Sequence, residues 1–427
     1  MITYLVILLY NLFDMVRIPL VGQLKLNEIL VLLFLPFYYR SNEFSRYGML
    51  AKIIVTLLAL LTFQIVTDIL VLDTVASDYL RGWSQTIISL VSILFLFKIL
   101  NGYKAITLFI VASAIRLLIS DPMGVDLASS EMTFYKFRLA PVITQLVYAV
   151  AIFLHMKGRT RFIPVMFLAF GLVSLGMDSR SRGLIMMLSG VLLYLFYSGF
   201  KFRRAYMLGG ALAMLVIFQT MYILYVNATL AGTLGGEHAR EQLQRIENPY
   251  NPVSLLVTGR GEAFAAIEAI KDAPLFGHGS WAKDETLKYY KIVLKYHDEE
   301  YNADKAKVEA GLIPSHSILL GAWVNYGWFA FVAVVYLFYL LLKLAIPLIK
   351  EGQAMPIYPI FIPMTIAMVW MFLFSPFQHI RFSIPQNAAI FLTSFYLLQQ
   401  MKTSAEPEPE ATGAQEDPQF AQTYGNK

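Results

Sequence analysis

Two arginines crowd the short stretch Asp178-Ser179-Arg180-Ser181-Arg182-Gly183; a third, Arg260, stands between Gly259 and Gly261, and His316 follows Pro314-Ser315. A guanidinium stays charged at any accessible pH and offers a planar fork of donors that matches a phosphate. Gly183 would open a helix, and a helix N-terminus also favours anions. Imidazole is the side chain whose proton equilibrium suits abstraction of a hydroxyl proton near neutrality. Together these groups could hold a phosphorylated leaving group and activate an attacking hydroxyl. Each also has a plainer reading. Arginines at a membrane edge snorkel to headgroups or pair with a neighbour such as Asp178, Arg260 could be a solvated loop residue, and a boundary histidine can simply anchor the interface. His278, in a turn, and His379, two residues before Arg381, are poorer candidates for a base. There is no cysteine, which removes disulfides, thiolate metal sites and a Cys nucleophile. With no HExxH motif and no tight carboxylate cluster, no metal site is expected.

What must position these residues is a frame of membrane helices. The chain is 57% hydrophobic and only 15% charged, with a mean hydropathy of +0.59, outside the range of soluble domains. A helix crosses the bilayer core with about 20 apolar residues, and lipid offers no partner for backbone polar groups, so the apolar runs must be helices rather than open strands. About twelve spans are expected, centred on 1–20, 26–39, 50–72, 84–100, 103–120, 138–155, 161–177, 182–199, 205–227, 316–342, 356–375 and 384–400. The first lacks a basic leader and a small-residue cleavage site, and reads as a retained helix rather than a signal peptide. The net charge of +5 is loop-anchoring charge, and no basic run suggests nucleic acid.

Alternate loops carry the excess of cations: Arg40, Arg46 and Lys52; Lys98 and Lys104; Lys157, Arg159 and Arg161; Lys201, Arg203 and Arg204; Lys343 and Lys350. By the positive-inside rule these lie in the cytoplasm with both termini, and 228–315 faces outward. The chain then divides into nine helices over 1–227, a folded outer loop over 228–315, three helices over 316–400 and a tail over 401–427. In that tail Glu406-Pro407-Glu408-Pro409-Glu410 cannot build a core, so it is expected to be disordered. Within the loop, 237–246, 261–273 and 283–309 have helical composition, the last studded with Tyr289, Tyr290, Tyr296 and Tyr301. Pro274 ends the middle stretch, and the glycines of Pro274-Leu275-Phe276-Gly277-His278-Gly279 permit a tight turn.

Ser181-Arg182-Gly183 at a helix start, Gly259-Arg260 followed by Ala266-Ile267-Glu268-Ala269-Ile270-Lys271-Asp272-Ala273 and the Pro274–Gly279 turn, then Pro314-Ser315-His316 and Gly327, resemble the O-antigen polymerase and O-antigen ligase superfamily. The likeness covers residues 160–345, in the family's order. Ser317 stands where many relatives carry Asn, and Phe264 where Trp is common; neither change removes a charged group.

This resemblance implies an all-α, GT-C-like, metal- and cofactor-independent glycosyltransferase of the bacterial inner membrane, with its active site on the periplasmic side. Its donor would be an undecaprenyl-diphosphate-linked oligosaccharide and its acceptor a glycan or lipid A–core; a chain-length regulator is a further partner such enzymes meet. Arg182 and Arg260 would hold the diphosphate and stabilise it as it leaves, with Arg180, Arg381 and Tyr289 as further substrate-binding residues. His316 would take the proton from the acceptor hydroxyl as it attacks and inverts the anomeric carbon. A polymerase of O-antigen or exopolysaccharide repeat units is the leading reading. A ligase onto lipid A–core, or onto protein, differs only in acceptor and stays open. A lipid-linked glycan flippase or other transporter would place charges mid-span along a pathway; here Gln64, Asp68 and Arg116 are the few candidates, while the cations gather at the outer edge.

Overall fold

The computed structural model describes residues 2–20, 22–38, 47–120, 131–199, 216, 219–220, 222–234, 236–244, 246, 248–252, 254, 261–297 and 311–405. The apolar runs are helices: α1 (Ile2–Phe13), α2 (Leu26–Tyr38), α3 (Gly48–Ile65), α4 (Ala76–Ile99), α5 (Tyr103–Ile119), α6 (Ala140–Met156), α7 (Phe162–Gly176) and α8 (Arg180–Tyr197) precede the loop. The loop contributes α9 (Gly236–Gln244), α10 (Gly261–Asp272) and α11 (Lys288–His297), and α12 (Ile318–Glu351), α13 (Phe361–Phe374), α14 (His379–Phe382) and α15 (Ile384–Ala405) follow. Four segments are long and apolar enough to cross a membrane: Gly48–Val71, Ala76–Ile99, Glu131–Met156 and Ile318–Ala354. Ile2–Phe13, Leu26–Pro36, Phe162–Gly176 and Tyr358–Phe374 are shorter apolar helices. Most of the expected span 205–227 lies outside the described residues, as do Arg260 and the tail from 406 onward.

Two expectations change. The run over 1–20 is not one helix. It stops at Phe13, and β1 (Arg17–Leu20) pairs antiparallel with β2 (Gly22–Lys25), Arg17 opposite Lys25. Pro19 lacks an N–H and cannot continue a helix, whereas Gly22 takes the left-handed φ of 101° that the hairpin tip requires. In the loop, 283–287 is not helical: Leu287 has a φ of 56°, and Lys283 instead bridges to Leu312. Residues 298–310 lie outside the described set.

Bonds at the helix ends sort the polar groups onto two faces. On the face bearing the loop, Asp14 meets Lys25 and Arg116, Glu28 meets Arg381, and Asp68 meets Ser280. On the opposite face, Tyr197 bonds His155 and Lys402 pairs with Glu351. Between them lies one apolar core shared by nearly all the long helices.

The loop is fastened to the helices through a deliberate break. α12 is interrupted at Gly327, with φ 75° and ψ −168°. The interruption leaves the carbonyls of Val324 and Asn325 without helical donors, and the N–H groups of His278 and Gly279 fill them at 2.8 and 2.7 Å. In return the Trp328 N–H donates to the Pro274 carbonyl at 3.1 Å. At Gly277 a Cβ would stand 2.6 Å from the Asn325 carbonyl carbon, so only glycine permits this approach. A small second core of Ala265, Ala266, Ala269, Tyr289, Val293, Ile313 and Val324 completes the seat of the loop on α12.

Candidate active site

Beneath the docked turn lies Asp68, fully buried in the π-helical turn Val66–Val71 that ends α3. The wider turn swings the carboxylate inward, as π-bulges often do at functional sites. Oδ1 accepts from the Ser280 backbone N–H at 2.7 Å and the Thr74 hydroxyl at 3.1 Å. Oδ2 accepts from the Ser280 hydroxyl at 2.6 Å and Trp83 Nε1 at 2.8 Å. Ser280 Oγ also lies 3.0 Å from the Tyr326 hydroxyl, just before the break in α12. Gly82 leaves the room, since any Cβ there would overlap Ser280 and Tyr326. Four donors thus satisfy a buried carboxylate, and one cluster ties α3, α4, the loop and α12 together. Asp68, which could have marked a transport pathway, is engaged at both carboxylate oxygens by neutral donors.

His316 is exposed and immediately precedes the α12 N-cap. That cap is Ser317, which accepts from the Leu320 N–H at 3.2 Å and donates to the Phe372 carbonyl at 3.1 Å. A hydroxyl therefore does the capping. His379 lies within electrostatic reach of His316, and its Nδ1 lies 3.1 Å from Ser383 Oγ. Desolvation, and then the charge of His316, hold the His379 pKa below the usual histidine value. Sequence order hides this pairing, because the two rings come from opposite ends of the α12–α13 pair.

The arginines fall into distinct settings. Arg182 sits in the first turn of α8, which starts at Arg180 rather than at Gly183. Gly183 is instead a packing glycine: a Cβ there would lie 2.9 Å from the Gly171 carbonyl oxygen, and Gly171 and Gly190 are equally tight. These glycines let α7 and α8 approach closely and so fix where Arg182 emerges. Its guanidinium donates to the Lys136 carbonyl at 3.0 Å and reaches Ser179 Oγ at 3.5 Å, with Tyr135 and Tyr148 beside it. Among the described residues no carboxylate pairs with it. Arg180 is different: its Nε meets Asp178 at 3.0 Å, and Tyr222 and Tyr225 lie near its charge.

Arg381 is more fully engaged. Its Nε donates to Glu28 at 2.6 Å, its other nitrogen meets the second oxygen of the same carboxylate, and the Gln23 carbonyl accepts at 3.0 Å. This bidentate pair binds α14 to the hairpin and α2. Tyr289 belongs to the small core of the loop, its hydroxyl on Asp272 and its ring against His278. Burial and the Asp272 carboxylate push that phenol above its usual range. His278 in turn bonds the Ala269 carbonyl at 2.8 Å. Both are spent on holding the loop together. Arg260 lies outside the described residues. The site so built has, on one face, an arginine with no carboxylate partner among the described residues, two histidines close enough to interact through their charges, and a folded loop.

Fold and site define a multi-pass helical membrane protein with its polar chemistry concentrated at one end of the bundle. Residues 164–335 match the O-antigen ligase family, which bears out the resemblance read from the motifs. The matched segment runs from α7 through the break in α12; it holds Arg182, Arg260 and His316 and leaves out Asp68, His379 and Arg381. No curated protein matches the chain.

Proposed function

We propose that this protein is a glycosyltransferase that takes a polyprenyl-diphosphate-linked glycan as donor and joins repeat units into O-antigen or exopolysaccharide at the outer face of the bacterial inner membrane. The observation that carries this reading is the lone charge of Arg182. Arg116, Arg180 and Arg381 each meet a carboxylate; among the described residues Arg182 meets a carbonyl and a hydroxyl and no carboxylate. A largely desolvated guanidinium without a counter-ion is stabilised by a ligand that brings negative charge, and a diphosphate does so. Arg182, together with Arg260, holds the diphosphate and stabilises it as it departs. His316 accepts the proton of the acceptor hydroxyl while that oxygen attacks the anomeric carbon from the face opposite the diphosphate, inverting it. Arg381 and Tyr289 act on substrate indirectly, by holding the elements around the site.

A second reading, an O-antigen ligase, is supported by the description of the matched family itself. Donor and chemistry are shared, so the acceptor separates the two. Purified protein is incubated with a lipid-diphosphate-linked repeat unit, with and without lipid A–core. A ladder of products without core identifies a polymerase, and capture only with core identifies a ligase. No transfer in either arm overturns both.

A further inference from the structure

Trp281 holds a left-handed backbone, φ 58°, a conformation that is a genuine outlier for a bulky side chain. Such strain persists only where the surroundings over-determine it, and it concentrates at functional sites. Here the pinning is visible on both sides. Ser280 is held by Asp68 through two bonds. Beyond Trp281, the Ala282 carbonyl accepts from the Ile313 N–H at 2.9 Å, and Lys283 bridges antiparallel to Leu312. In that register Trp281 stands opposite Pro314, two residues before His316, and two extended residues span about 7 Å.

The ring is half-buried, and the Arg81 guanidinium stands 5.9 Å from its centroid. Arg81 reaches Asp78 only at 3.7 Å, and Lys283 reaches the same carboxylate only at 3.9 Å. Neither distance is that of a closed hydrogen bond. Among the described residues Arg81 Nε, which is buried, has no hydrogen-bond partner. The hairpin tip borders the group, with Gly22 packed on the Arg81 side chain.

We infer that Trp281, with Arg81, Asp78 and Lys283, forms the subsite for the acceptor sugar, a pyranose laid against the indole with its hydroxyls on the three charged groups. The chemistry fits in three respects. A pyranose presents a face of C–H groups that an indole can stack against. Its hydroxyls both donate and accept, which suits one carboxylate with unfilled lone pairs beside two cationic donors. Its position puts a sugar hydroxyl within reach of His316, the base that would activate it. The inference rests on the glycosyltransferase reading for this last step, though not for binding.

The test uses full-length protein in nanodiscs. The probe is the host's own repeat-unit glycan, freed from its lipid by mild acid. Binding is followed by equilibrium dialysis, and transfer by adding a polyprenyl-diphosphate-linked repeat unit. Trp281→Gly removes the ring at a position whose backbone glycine adopts freely, and Trp281→Phe keeps an aromatic face. Loss of a stacking contact of this kind is expected to weaken glycan binding and raise the acceptor KM about ten-fold in Trp281→Gly, with kcat and donor KM within about three-fold. Trp281→Phe recovers part of the loss. If Trp281→Gly does not fold, Arg81→Gln supplies the same split. Equal binding in wild type and variant overturns the subsite, as does absence of binding in wild type, or loss of kcat with an unchanged acceptor KM. Wild type that binds the free glycan through Trp281 yet transfers nothing sinks the enzymatic reading and leaves the subsite standing.

Discussion

Ser280 gives both its backbone N–H and its hydroxyl to the two oxygens of the Asp68 carboxylate, across 212 residues of chain. That contact is the rivet between the docked loop and the helix corner below it. Asp68→Ala strands the two buried donors of Ser280 and the part-buried donors of Thr74 and Trp83, and each buried donor left unpaired costs about 1–3 kcal/mol. Asp68→Asn keeps one acceptor oxygen and is the milder change. The thermal midpoint of purified protein should therefore fall in the order wild type, Asn, Ala. A midpoint for Asp68→Ala equal to wild type would show that the cluster contributes nothing.

Arg182→Lys is expected to lose about 100- to 1000-fold in transfer rate with the fold intact, because a lysine keeps the charge without the planar fork. Arg260→Lys should behave alike. Arg180→Lys should be milder, since Asp178 already occupies that side chain. Single-turnover rates on the lipid-linked donor check this, and near-normal turnover in both strong variants reduces the arginines to interface anchors.

The paired histidines make opposite predictions for chemistry and for stability. His316→Ala should lower transfer by about 100- to 10,000-fold with donor binding kept. His379 has its folded pKa below the ordinary 6.5, so between the two values the unfolded chain binds more protons. Its contribution to stability is then complete above pH 6.5 and is lost as pH falls through the folded value. His379→Gln should flatten that acid limb in a series of thermal melts from pH 4.5 to 7.5. An unchanged slope would mean that another group sets it.

Arg381→Ala leaves Glu28, only 4% exposed, as a buried charge without its partner. Breaking a pair of this kind typically costs about 3–5 kcal/mol. The double variant Arg381→Met with Glu28→Leu should recover much of that stability. Were Arg381 held chiefly for substrate, the double variant would fold well yet show a donor KM raised as far as in Arg381→Ala. Melting curves and donor titrations on the three proteins separate the cases.

Much of the frame was legible because lipid leaves the backbone one way to satisfy itself: long apolar runs read as helices, and among the described residues most of them are helices. The hairpin was not. Ile18, Leu20, Val21 and Leu24 extend the first apolar run in composition, and only Pro19 and Gly22 signal a turn. Among site residues, His316 could be picked out by its place after Pro314-Ser315 at a span boundary. His379 could not, because its significance is a neighbour 63 positions earlier in number. Arg182 and Arg381 look alike in sequence, and a carboxylate 353 residues away separates them. Gly183 read as the opening residue of a helix, whereas the helix starts at Arg180 and Gly183 packs against Gly171. Trp281 gave no signal at all, since nothing in its neighbours' identities declares a left-handed φ.

The break at Gly327 also dictates an order of assembly. Val324 and Asn325 present carbonyls that their own helix does not serve, at a boundary where lipid offers no substitute. The donors, His278 and Gly279, are synthesised first and lie in the preceding loop. α12 can therefore reach its final shape only after the turn of the loop has formed, and the earlier segment acts as a template for the later one. Deleting the loop would not leave a trimmed but sound bundle. It would leave a helix with an unserved notch, and a nascent chain exposed to quality control at the moment its last three long helices insert.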